Sequence, residues 1–313
     1  MNTPLAAGDG PLVVAGEALI DLIQQPDGRL SPQLGGSPWN LARALGRLGR
    51  TVHYRNPLST DGYGQQLAQA LDDSHVHRTG GQSPQPTSLA LVKVDAQGHP
   101  DYAFYREGVA DRDLPPLDIL ADWPAHASLF HVGSLSLIPP DGHQWLALLE
   151  TLLARGVTTS VDINMRPMVA PDKPAYAELA LQVLQRACIA KVSDEDLRAM
   201  NRTGDPLHEA TQLLSTTTQV VLLTMGAAGA WCVTRQGQWF QAPPQVTVVD
   251  AVGAGDCFYA GFLARLGELG ALSVGTHGAP SGDVLTDALA FGAYTTAHNL
   301  QRAGCQPPWR HEV

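Results

Sequence analysis

Lysine is scarce in this chain: its 313 residues contain only Lys93, Lys173 and Lys191. None of them stands in a G-x-x-x-x-G-K-[ST] pattern, so a P-loop nucleotide site is excluded. Positive charge is short as a whole, with 20 Lys+Arg against 30 Asp+Glu and a formal net charge of -10. Such a chain has no general field for nucleic acid or anionic lipid, and an anionic ligand needs a local pocket of backbone amides or arginines. The few cysteines, Cys188, Cys232, Cys257 and Cys305, are scattered without a C-x-x-C pair. That spacing gives neither a zinc site nor a disulfide framework, and a reduced, cytoplasmic setting is the expectation. The first residues lack a basic region followed by a long apolar stretch, and no run of about 18 apolar residues occurs. Neither a signal peptide nor a membrane span is therefore expected. The histidines form no ligand-spaced cluster, and H-E-x-x-H and G-x-S-x-G are both absent.

Hydrophobic residues make up 44% and charged residues 16%, which is enough for a sizeable ordered core. Leu12 to Val14 reads as the first strand, with apolar character resuming from Ala18 to Ile23. Ser37-Pro38 then opens a helix, with Ser at the N-cap and Pro at the first helical position. Its apolar face is Leu41, Leu45 and Leu48. Residues 87 to 106 read as a β-hairpin turning at 96 to 99. From about residue 127, strands at Leu129 to Val132, Thr158 to Ile163 and Val220 to Leu223 alternate with helices. This predicts an α/β fold, a doubly wound and mostly parallel sheet covered on both faces. A short meander over Trp231 to Thr234, Gln238 to Gln241 and Val246 to Val249 is expected next, and a helix over Val284 to Leu300.

The run Asp250 to Gly261, DAVGAGDCFYAG, carries the most chemistry. A strand, a glycine turn and a helix start make an anion-binding geometry, because the first helical amides lack internal partners and the dipole favours negative charge. Asp256 on the rim of such a site repels an anion unless it has a task. One reading makes it a plain helix cap. The other makes it the base that orients a hydroxyl and accepts its proton during phosphoryl transfer, with the nearby amides stabilising the charge on the phosphoryl group. The helix dipole is expected to keep Asp256 ionised.

A second motif, Gly35-Gly36-Ser37-Pro38-Trp39-Asn40, lies upstream. With Asp250 to Gly261 it resembles the ribokinase-like (PfkB-type) carbohydrate kinases, over nearly the whole chain. GEALIDLI near the start, FHVGSLSL at 130–137, DINMRP at 162–167 and KVSDEDL at 191–197 are most similar to fructokinases. The resemblance implies one kinase domain over 1–313 with a small β-sheet lid formed by about 18–36 and 87–110. It implies an ATP-dependent kinase acting on a primary hydroxyl of a free sugar, fructose above all. Kinases for 2-keto-3-deoxygluconate or an aminoimidazole riboside are alternatives, and a catalytically silent sugar-binding regulator is another.

Residue by residue, the resemblance implies that Asp21, at the end of the first strand, and Asn40 bind sugar hydroxyls. Gly35 and Gly36 let the sugar approach the backbone. Tyr105 and Arg106 close over it, and Arg166 reaches the substrate or phosphate region. Asp256 is the implied base, with the amides of Gly253, Ala254 and Gly255 as the anion hole. Thr224, Gly226 and Gly229 match the nucleotide loop, with Lys191 and Ser193 also placed at the nucleotide and Asp196 at hydrated Mg²⁺. Asp250, the Val252 carbonyl and the chain near Arg302 and Gly304 match a K⁺ site. Partners are then a sugar and ATP, with neither nucleic acid nor membrane, and a homodimer through the lid. Ala251 stands where the family usually has threonine. Ser193 to Asp196 reads Ser-Asp-Glu-Asp where many members have Asn and Glu at the two ends. Cys257 reads as a packed thiol.

Overall fold

The computed structural model describes residues 10–25, 27–94, 100–113, 116–124, 126–274 and 278–313. The first third holds β1 (Leu12–Val14), β2 (Leu19–Gln24), β3 (Leu30–Gly35), α1 (Ser37–Arg47), β4 (Val52–Tyr54), β5 (Leu58–Ser59), α2 (Gly62–Asp72), β6 (Val76–Arg78), β7 (Gln82–Ser83), β8 (Ser88–Val94) and β9 (Pro100–Tyr105). There follow β10 (Leu129–Gly133), α3 (Asp141–Ala154), β11 (Thr158–Asp162), α4 (Lys173–Leu184), β12 (Ile189–Ser193), α5 (Asp194–Ala199) and α6 (Pro206–Thr211). The last third holds β13 (Val220–Thr224), β14 (Ala230–Thr234), β15 (Gly237–Gln241), α7 (Ala254–Glu268) and α8 (Gly282–Leu300).

Nine strands form the main sheet in the order β15-β14-β13-β12-β11-β10-β1-β4-β6. From β13 to β6 every pairing is parallel, and β14 and β15 add an antiparallel edge. Successive strand residues point to opposite faces, and both faces are apolar. Leu12 and Val14 of β1 and Val220 and Leu222 of β13 face one cluster, with Leu45 of α1, Leu67 of α2, Phe262 of α7 and Leu285 of α8. Val13, Val221 and Leu223 face the other, with Trp145 of α3, Tyr176 of α4 and Leu197 of α5. The expected helix-covered, mostly parallel sheet is thus present. Each such leucine or valine contributes about 1.5–3 kcal/mol by leaving water.

A second sheet has the order β3-β2-β8-β9. The turn read at 96–99 lies outside the described residues. In-register residues of neighbouring strands share a face. Asp21 pairs with Ala90, and Ala90 with Phe104. That face packs Leu19, Ala90 and Phe104 against Leu135 and Val169 of the main layer.

Two readings need correction. Val246 to Val249 is not a strand. Pro243 and Pro244 follow β15, and proline offers no N–H to a ladder and a fixed φ, so the chain leaves the sheet. Helix α1 also starts one residue earlier than expected: Gly36 is its N-cap and Ser37 its first residue. Gly36 sits at φ 113, and a Cβ there would lie 2.4 Å from the Glu17 carbonyl oxygen. Only glycine fits that approach.

Candidate active site

The N-termini of α1 and α7 converge on Asp256. Because Ser37 is not used as a cap, its hydroxyl is free to donate to Asp256 Oδ1 at 2.7 Å. Asn40 Nδ2 donates to Oδ2 at 2.9 Å. Asp256 is 7% exposed, so water contributes little to its charge. Burial pushes its carboxyl up; the hydrogen bonds from Ser37 and Asn40 and the charges of Lys191 and Arg166 oppose this, and the net direction is upward. The helix dipole therefore does not dominate as the sequence suggested.

Helix α7 begins at a left-handed Gly253, φ 71, where a Cβ would lie 2.3 Å from Cys305 Sγ. The anion hole differs from expectation at one amide. Ala254 N–H donates to the Ala251 carbonyl at 3.1 Å, whereas the N–H groups of Gly253, Gly255 and Asp256 have no acceptor among the described residues. Lys191 lies beside them: a Cβ on Gly255 would be 3.4 Å from Nζ. Its ammonium donates to Asp162 Oδ2 at 2.8 Å, leaving the buried Oδ1 without a protein partner. Burial works against the Lys191 charge, but the carboxylates of Asp162, Asp196 and Asp256 outweigh it and hold the ammonium above its usual range. Burial pushes Asp162 up to about 6, with Lys191 opposing. Sequence reading gave Asp162 no role, although it opens the DINMRP run.

On the second sheet, Asp21 belongs to β2 and not to the end of β1. Its Oδ2 lies 2.5 Å from where a Gly35 Cβ would be, which explains the glycine. Burial raises Asp21 to about 6, with Arg166 lowering it and Glu17 raising it further. Arg166 thus bridges the two halves of the site, since its charge also acts on Asp256 and Tyr102. Its Nη1 is anchored on the Asn164 and Met165 carbonyls and on Asn164 Oδ1.

Tyr105 and Arg106 do not take the places expected of them. Tyr105 is 62% exposed and, one residue from Phe104, lies on the opposite face from Asp21. Tyr102, in register with Val92, is the hydroxylated aromatic on the Asp21 face. Arg106 pairs with Asp111 at 2.8 Å, donates to the Leu135 carbonyl at 3.1 Å, and its side chain is only 12% exposed. Its charge is spent inside the protein, on Asp111 and on the buried Glu17. Glu17, missed by sequence reading, accepts from Ser37 N and Ser136 Oγ, both at 3.3 Å.

A cavity of about 450 Å³ opens from Gly255 between α7, α8 and the β13–β15 edge. Thr224, Gly226 and Gly229 line it as expected, and so do Ala251, Phe258, Ala293 and Thr296. Pro243 and Pro244, which end the strand at β15, form another wall. Its size and apolar lining suit a nucleoside with phosphates directed at the α7 amides. Lys191 stands beside Gly255, at the α7 end of this space. Ser193 is not among its lining residues: N-cap of α5, it shares a capping box with Asp196.

The metal positions fit less well. Asp196 Oδ1 accepts from Met165 N at 2.6 Å, and Oδ2 accepts from Ser193 N and Oγ at 2.7 and 2.8 Å. Among the described residues no group of three His, Cys, Asp or Glu side chains could hold a metal ion. The oxygens of the K⁺ position are likewise engaged: Asp250 Oδ1 by Val252 N at 2.9 Å, Oδ2 by Gly304 N at 2.8 Å, and Val252 O by Asn299 Nδ2 at 2.8 Å. Cys257 is a packed thiol. A hydrogen bond with Cys305, then burial, hold it well above its usual range.

The class these features define is a helix-covered α/β protein with a buried carboxylate at a glycine-rich helix start, flanked by a nucleotide-sized cavity and a small second sheet. The chain belongs to the pfkB family of carbohydrate kinases, whose family model matches residues 11–312. It is 36% identical over 261 residues to a fructokinase of Rhizobium leguminosarum bv. trifolii, covering 82% of this chain and 79% of that one. The structure of the fructokinase from Xylella fastidiosa with bound ATP superimposes with a TM-score of 0.84 at 27% identity, covering 95% and 94% of the two chains. A double mutant of the Vibrio cholerae O395 fructokinase, in its fructose-, ADP- and potassium-bound form, shares the fold with a TM-score of 0.80 at 24% identity, over 95% and 94%.

Proposed function

We propose that this chain transfers the γ-phosphoryl group of ATP to a primary hydroxyl of a free sugar, with fructose giving fructose 6-phosphate as the principal reaction. The observation that carries this is the placement of Asp256. A buried carboxylate with a raised proton affinity stands between the second sheet and the α7 end of an apolar cavity. The sugar oxygen attacks the γ-phosphorus, its proton passes to an Asp256 oxygen, and the bond to the β-phosphate bridging oxygen breaks. Ser37 and Asn40 fix the carboxylate for that proton. The free amides of Gly253, Gly255 and Asp256, with Lys191, meet the charge spread over the phosphoryl oxygens. Mg²⁺ carried on the nucleotide phosphates neutralises part of the same charge. Asp21, Asn40 and Arg166 hold sugar hydroxyls, and Tyr102 covers the ring. The second sheet acts as a lid that excludes water, which limits hydrolysis of ATP.

A sugar acid such as 2-keto-3-deoxygluconate calls for cationic partners. Arg106 is already paired with Asp111, so Arg166 stands alone for that task. This favours a neutral sugar. The silent-regulator reading is disfavoured by the intact Asp256 and its two positioning donors. A panel of fructose, 2-keto-3-deoxygluconate and aminoimidazole riboside in a coupled ADP-release assay tests the proposal. Fructose is expected to give the highest kcat/KM. Binding of fructose with no ADP formed would overturn it.

A further inference from the structure

Asn299 is fully buried in the last turn of α8 and makes two hydrogen bonds that cross the molecule. Its Oδ1 accepts from Gln306 N at 2.8 Å, and its Nδ2 donates to the Val252 carbonyl at 2.8 Å. The backbone N–H of Gln306 can only donate, so the orientation of the amide is fixed; flipped, it would set donor against donor and acceptor against acceptor. The same helix end receives the start of the glycine loop: Val249 N and Asp250 N donate to the Leu300 carbonyl at 2.7 and 3.3 Å. Asp250 in turn accepts from Val252 N and Gly304 N. The loop that leads into Gly253 and Asp256 is thus tied to α8 and to the C-terminal segment by protein donors.

These are the oxygens that the family resemblance assigns to a potassium ion. A K⁺ site presents oxygen lone pairs inward in place of a hydration shell. Here each of the three oxygens faces an N–H whose hydrogen carries positive partial charge. We propose that the Asn299 amide serves as a built-in strut in place of an activating monovalent cation. The glycine loop then holds its catalytic shape without K⁺, and Asn299 is a positioning residue acting through Val252.

The turnover arm of the test rests on the sugar-kinase reading, whereas the melting arm does not. KCl is exchanged for tetramethylammonium chloride at constant ionic strength. In the wild type, kcat is expected to change by less than about twofold, and the thermal midpoint to stay the same, because a ligand that does not bind the native state cannot shift it. Asn299→Asp keeps the shape but replaces the donor with an oxygen. It is expected to lose tenfold or more of kcat in tetramethylammonium, to recover in K⁺, and to melt higher in K⁺. Tenfold stimulation of the wild type by K⁺, or a clear rise of its midpoint, would overturn the inference. So would an Asn299→Asp protein with full turnover and no response to K⁺. If that variant does not fold, the wild-type melting comparison decides. Absence of ADP release from every sugar would sink the kinase reading while leaving that comparison intact.

Discussion

Asp256 and Asp21 show how much burial changes what an acidic side chain can do. Both carry a positive neighbour in Arg166, yet both are held above the ordinary carboxylate range. For Asp256 this makes a stronger proton acceptor than the dipole argument allowed. For Asp21 the value near 6 has a consequence at accessible pH. As pH falls below 6 the carboxylate gains a proton, and under the proposed role it would accept less well from sugar hydroxyls. Sugar affinity measured by calorimetry is expected to weaken about tenfold between pH 7 and pH 5, and Asp21→Asn to remove that dependence. Arg106 gives the opposite expectation from the one its sequence suggested. Removing one partner of a buried pair leaves an uncompensated charge, so Arg106→Ala is expected to cost about 3–5 kcal/mol in denaturant unfolding. A stable variant with a raised sugar KM would contradict the structural role.

At the scale of elements, legibility followed how local each feature was. The strands of the parallel sheet and the helices over it showed in runs of Val, Leu and Ile, because a strand buried on both faces needs apolar residues throughout. The Gly-Ala-Gly-Asp helix start showed because its backbone demands are local. The parity of β9 did not show: a one-residue uncertainty in register exchanges Tyr105 for Tyr102. Nor did the partners of Arg106, Lys191 and Asn299: Asp162 comes from another strand, and Asp111 and Gln306, though near in sequence, lie across irregular chain whose path has no local signal. Asp162, Asp111 and Gln306 are ordinary residues until the fold brings them together. The α7 start offers a test of its own. Gly253→Ala places a side chain at φ 71 against Cys305 Sγ. The left-handed backbone alone costs about 1–2 kcal/mol. The variant is expected to lose stability in thermal unfolding and to lower kcat more than it raises sugar KM.

For the whole molecule, the acidic surface and the amide-built anion hole belong together. A protein with a net charge of -10 would need local N–H groups and a few placed cations to hold phosphate, and Lys191 is one of only three lysines. No helix among the described residues is long and apolar enough to cross a membrane. The second sheet has one face on the site, and its other face carries Leu22, Leu34 and Leu89 with the exposed Leu30 and Tyr105. A matching surface on a second copy would cover it. Sedimentation is expected to show a dimer that dissociates on dilution, and Tyr105→Glu to shift it towards monomer; a concentration-independent monomer would contradict this.

The central claim is that Asp256 takes the proton of a sugar hydroxyl. ADP release from saturating fructose and ATP, compared between wild type and Asp256→Asn, tests it most directly. Loss of the base is expected to lower kcat by about 10²–10⁴-fold while fructose affinity stays within a few-fold. Turnover of Asp256→Asn near that of the wild type would contradict the account.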